Sequence, residues 1–81
     1  MKIKVKLFAA LHELLGQREL TLKLSEGATI GDLRDRLVEE HPIVRTFLPT
    51  LVWAVNEEYA LSEHRLREGD EVALIPPISG G

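Results

Sequence analysis

From Lys2 to Leu7 the chain alternates strictly, with Ile3, Val5 and Leu7 on one side and Lys2, Lys4 and Lys6 on the other. That period of two predicts a strand with one buried face. The next stretch, AALHELLG, sets Leu11, Leu14 and Leu15 at helical spacing and closes on Gly16, a residue suited to the position just past a helix end, so a short helix or turn is expected there. ELTLKL alternates again through Leu20, Leu22 and Leu24, which predicts a second strand antiparallel to the first.

SEGATIGDLRDRLVEEHP carries the strongest helical pattern. Thr29 with Asp32 three residues on resembles a capping box, and Ile30, Leu33 and Leu37 share one face. His41-Pro42 marks the stop, because proline disfavours the α conformation in the residue before it. Arg34, Asp35, Glu39 and Glu40 are read as a solvated face; Glu39 and Glu40 point about 100° apart and do not make a catalytic pair. Downstream, LVWAV reads as a buried strand with Trp53 in the core, NEEY as a turn, ALSEHRLREGD as a loop turning at Gly69-Asp70, and EVALI as a final strand running into Pro76. Strand, short helix, strand, long helix and several strands predict a two-layer α+β domain in which one sheet packs over one long helix. Residues 1–75 are expected to form this domain and 76–81 an extended tail.

Composition narrows the chemistry. The 81 residues suit one small core, without cysteine for disulfides, thiolate metal sites or a thiol nucleophile. His12, His41 and His64 are scattered without metal-ligand spacing, and no metal or cofactor is expected on this chain. A formal net charge of −3 disfavours nucleic acid as a partner, so the alternate lysines of the first strand are read as a wet outer face. No apolar run approaches the roughly 20 residues that cross a bilayer, and the N-terminus lacks a signal-peptide pattern, so no membrane partner is expected and a cytoplasmic location is.

The distinctive chemistry lies in LIPPISGG, Leu74 to Gly81. Pro76 and Pro77 each fix φ and remove a backbone donor, so the strand must end there and the chain leave extended. The six residues from Pro76 onward could project about 20 Å at about 3.3 Å each. Ser79, Gly80 and Gly81 add little bulk, and a glycine pair passes where no Cβ fits. A carboxylate on such a stalk is suited to insertion into another protein's active site, where activation turns it into an acyl donor.

GDEVALIPPISGG, Gly69 to Gly81, together with LFAALHELLG, TIGDLRDRLVEEHP and VNEEYA, resembles the small sulfur-carrier subunits of molybdopterin synthase, the MoaD-type members of the ubiquitin-like β-grasp proteins. The likeness covers the whole chain, and the double proline at this distance from Gly-Gly is its most specific part. The resemblance implies a ubiquitin-like β-grasp fold, a mixed sheet packed on one main helix, and no active site of the chain's own. It also implies a cycle: an E1-like, MoeB-type activating enzyme adenylates Gly81 with ATP, a sulfur donor converts it to a thiocarboxylate, and Gly80 serves as the threading spacer. Ile75, Pro76, Pro77, Ile78 and Ser79 would form the docking strip for the large catalytic MoaE-type subunit, in a heterotetramer that passes sulfur to cyclic pyranopterin monophosphate during molybdenum cofactor biosynthesis. The chain departs from the family's habit at His12, where an arginine is frequent, and at Ile75, where an aromatic is frequent. Sulfur carriage for thiamine or tRNA thiolation, conjugation to lysines as a ubiquitin-like modifier, and a structural module whose tail pairs with a partner's sheet edge are the other readings.

Overall fold

A computed structural model of the chain describes residues 1–76. The N-terminal alternation forms β1 (Lys2–Leu7), whose Ile3, Val5 and Leu7 are buried while Lys2 and Lys4 are exposed. A seven-residue helix, α1 (Ala9–Leu15), follows and closes on Gly16 at φ 71°, a left-handed conformation that costs glycine nothing. β2 (Glu19–Lys23) then runs back antiparallel to β1, Ile3 facing Leu22 and Val5 facing Leu20.

The capping box at the start of α2 (Ile30–Glu40) is closed in both directions. The Thr29 backbone N–H donates to Asp32 Oδ2 at 2.9 Å, and the Asp32 N–H donates to Thr29 Oγ1 at 3.2 Å. Two more N–H groups of this first turn reach the 61–70 loop: Ile30 donates to the His64 carbonyl at 3.0 Å and Gly31 to the Ser62 carbonyl at 2.8 Å. Ile30, Leu33 and Leu37 face inward and join Ile3, Val5, Val72 and Leu74 in one core cluster. Each such fully buried side chain stabilises the fold by about 1.5–3 kcal/mol relative to exposure.

After α2 come a helical turn α3 (Val44–Phe47) and a 3-10 turn (Leu48–Thr50), then β3 (Val52–Val55), β4 (Glu58–Tyr59) and β5 (Glu71–Ile75). The sheet order is β2-β1-β5-β3-β4, with β5 parallel to β1 and antiparallel to β3. The Gly69-Asp70 turn sets this register: Gly69 N–H donates to the Lys2 carbonyl at 2.9 Å, and Lys4 N–H to the Asp70 carbonyl at 3.0 Å. One sheet over one main helix is thus as the pattern predicts, and its mixed strand directions are as the resemblance implies.

Three local expectations need correction. Leu14 is 54% exposed, because in so short a helix Leu11 reaches the core, with Leu15 packed at its margin, and the i+3 position turns to solvent. NEEY is a turn only at Asn56-Glu57; Glu58 and Tyr59 pair with Val55 and Ala54 as β4. LVWAV is only half a buried strand, since Val52 is 43% exposed and Trp53 half-buried at the core's edge. The cause is position: β4 is only two residues long and flanks Ala54 and Val55. IVRTFLPT, which lacks either period and carried no expected element, folds as α3 and the 3-10 turn and buries Val44.

Candidate docking face

Helix α2 covers one face of the sheet, and the other is open. Residues directly opposite one another across a ladder share a face, so the registers assign the open side. Lys6, Ala73, Ala54 and Tyr59 make one row across β1, β5, β3 and β4. Ile75 opposite Val52 makes the next, and Lys4 opposite Glu71 the row on the other side.

Alanines in the middle of such a row leave a depression. It is a shallow hollow of about 620 Å³, with Ala54 and Ala73 among its lining residues and Phe8, Tyr59, Ile75 and Pro76 around them. Phe8 and Tyr59 are 46% and 83% exposed, unusual for aromatics on a small domain unless something covers them. The charged residues that line the hollow are Lys6, Glu57 and Glu71, and Lys6 Nζ lies 2.9 Å from Glu71 Oε1. The hydrogen bond and charge of Glu71 hold the Lys6 ammonium above the ordinary lysine value, so at neutral pH it is a cation and not an amine nucleophile.

Glu57 also lines the hollow. It and Asn56 have φ of 71° and 49°, the paired left-handed conformations of a two-residue hairpin turn that favours Asn-Gly. Ala9, at φ 50°, likewise borders the hollow. A second hollow of about 380 Å³ is lined by His12, Arg18, Glu19, Lys6 and Phe8 among others. His12 thus lines a hollow that shares Lys6, Phe8 and Ala9 with the apolar one.

Of the residues assigned from sequence, Ile75 lines the hollow half-exposed, and Pro76 lines it buried. The stalk thus does not leave the domain freely at Pro76; the chain is still packed against the body there. Pro77, Ile78, Ser79, Gly80 and Gly81 lie outside the described residues. Phe8, Ala54, Tyr59 and Ala73 were missed. The available signal was that EVALI carries Ala73 and Ile75 at its outward positions, where a solvated face would be polar, and that a tyrosine stands in an otherwise polar turn. Among the described residues no charged or polar residue is buried, and no three His, Asp or Glu side chains cluster to hold a metal ion. None of the described helices is long and apolar enough to cross a membrane. The face can receive apolar side chains and steer a partner; it holds no nucleophile with an adjacent base.

A five-stranded mixed sheet laid on one helix, with the central β5 leading out beside an apolar hollow, defines a ubiquitin-like β-grasp protein. The chain belongs to the ThiS family, whose model matches residues 5–81. It is 42% identical to a molybdopterin synthase sulfur carrier subunit of Chlamydomonas reinhardtii, over the whole of both chains. It is 43% identical to that of Arabidopsis thaliana, over the whole of this chain and 84% of the relative. The crystal structure of SAMP1 from Haloferax volcanii superposes with a TM-score of 0.89 at 36% identity, each chain covered completely.

Proposed function

We propose that the chain is the sulfur carrier of a molybdopterin synthase, with Gly81 as the residue that is charged. The observation that carries this is the course of β5: the strand leads through Ile75 and Pro76 along the apolar hollow, so a protein seated there covers the point at which the described chain ends and the sequence continues to Gly81. The identity of 42% and 43% to sulfur carrier subunits, over the whole of this chain, supports the assignment of cargo.

In the proposed cycle an activating enzyme brings ATP, and the Gly81 carboxylate attacks the α-phosphorus, releasing pyrophosphate and leaving an acyl adenylate. A sulfur nucleophile at the oxidation level of sulfide then displaces AMP and leaves a thiocarboxylate. The charged tail enters the large catalytic subunit, where its sulfur passes to cyclic pyranopterin monophosphate, and water restores the carboxylate. This chain's contribution is docking through Phe8, Tyr59 and Ile75 and delivery of the tail. Gly80 and Gly81 carry no Cβ to obstruct a narrow channel.

Intact mass spectrometry of the protein from its own cells tests the reading. Under sulfur-replete conditions a fraction should be heavier by the difference between sulfur and oxygen, and this fraction should vanish when the activating enzyme is deleted. No such species in cells making molybdenum cofactor would overturn it. The 36% identity to SAMP1, a small archaeal modifier protein, favours a second reading in which Gly81 is joined to lysines. Lysine-linked conjugates formed with the activating enzyme and ATP would establish that activity.

A further inference from the structure

The chain has four lysines, Lys2, Lys4, Lys6 and Lys23, and the β1–β2 ladder brings all four to the open face of the sheet. Lys2 stands directly opposite Lys23, with Lys4 one step along the same face and Thr21 opposite it. Like charges directly opposite on antiparallel strands destabilise the pair. Nearby carboxylates answer only part of this charge. Lys6 is bonded to Glu71, and Lys4 lies 4.0 Å from Glu19 with both side chains half-exposed. Glu68 spends one oxygen on the Lys2 backbone N–H at 3.1 Å. Among the described residues the Lys2 and Lys23 ammonium groups have no ion-pair partner within 4 Å, on a chain whose formal net charge is −3.

We infer that Lys2, Lys4 and Lys23 form an electrostatic guide for the partner that covers the apolar hollow, and that this partner carries a complementary stripe of carboxylates. The inference rests on the reading that a partner docks on the open face. Continuity supports it: the lysine stripe borders the Lys6–Glu71 pair, and that pair borders the hollow, so one surface spans both. Lysine suits the task, since a hydrated point charge on a flexible stem attracts at range without demanding bidentate geometry. An acidic protein surface fits better than nucleic acid. The chain's overall negative charge repels phosphates, the stripe has no aromatic on which bases could stack, and an apolar hollow adjoins it. The consequence is kinetic: the stripe accelerates encounter, and the hollow holds the complex.

The test is a triple Lys2→Gln/Lys4→Gln/Lys23→Gln variant of the full chain, with Lys6 left intact and the fold checked by its amide spectrum. Binding to the large catalytic subunit is followed over a range of salt. The intact protein should associate on the order of tenfold faster than the variant at low salt, with dissociation alike within about twofold and most of the salt dependence lost in the variant. Equal association rates and equal salt dependence would overturn the inference. A short poly-glutamate peptide and a short oligouridylate are titrated separately onto the free protein. The peptide should shift the amides of Lys2, Lys4, Thr21 and Lys23 in the intact protein and not in the variant. Absence of those shifts, or tighter binding of the RNA at the same residues, would also overturn it. A large subunit that fails to bind the intact protein defeats the proposed function instead, and the peptide titration then still decides the stripe.

Discussion

The Lys6 ammonium lies 2.9 Å from the Glu71 carboxylate across the parallel β1–β5 ladder, and this pair divides the open face into a lysine-bearing half and an apolar half. Glu71 raises the Lys6 pKa above the ordinary 10.5, chiefly through the hydrogen bond between them. A group whose folded value is raised contributes stability that is fully present below the unfolded value and lost as pH rises through the folded one. The pair therefore adds no pH dependence near neutrality, and its loss belongs above about pH 10.5. In Glu71→Gln the Lys6 titration followed by NMR should move down toward the ordinary lysine range. An unchanged midpoint would mean that the pair does not form in solution.

Ile75 faces outward from β5 and is half-exposed, so a charge there meets water in the free protein and is desolvated only on docking. Ile75→Asp should keep a native amide spectrum and weaken large-subunit binding by about 2 kcal/mol or more. Calorimetric titration gives both constants, and equal values would remove Ile75 from the docking face.

Trp53 is half-buried at the margin of the core, opposite Leu74. Complete burial would make Trp53→Ala cost about 3–5 kcal/mol; with part of the ring already in water the expected loss is about 2 kcal/mol. Urea unfolding distinguishes the two, and a loss above about 4 kcal/mol would place the side chain in the core after all.

Glu57 holds φ at 71° in a turn that glycine enters without steric cost. Glu57→Gly should therefore raise stability by about 1 kcal/mol, which thermal unfolding would show as a higher midpoint. A lower midpoint would mean that the Glu57 side chain contributes more to the folded hairpin than its backbone strain removes.

Deleting Gly81 separates docking from chemistry. The hollow and β5 are unchanged, so folding should shift by less than about 0.5 kcal/mol and large-subunit binding should persist. The terminal carboxylate would fall one residue, about 3.3 Å, short of the position the activating enzyme expects. Misplacement by even about 1 Å can cost a hundredfold in rate, so thiocarboxylate formation should fall at least that far. Charging at the intact rate would reduce the tail to a docking peptide.

Local rules were enough for the elements whose signal is carried by neighbours in sequence. The alternation of Ile3, Val5 and Leu7, the Thr29–Asp32 capping box and the Ile30, Leu33, Leu37 face each follow from backbone periodicity and end-group hydrogen bonding, and each forms as read. Ile75 and Pro76, which line the hollow, stood out in the sequence because a proline pair begins there. The rest of the docking face was not, because it exists only through pairing at long range. Ala54 and Ala73 look like ordinary strand residues until β3 and β5 set them side by side, and Phe8 and Tyr59 frame a hollow only once β1 and β4 flank those strands. The same holds for the lysines: alternation marks Lys2 as outward, but the β1–β2 register alone puts Lys23 opposite it and turns a wet strand face into concentrated charge. Which face a residue takes is settled by its immediate neighbours, whereas what it meets there is settled by strand order and register.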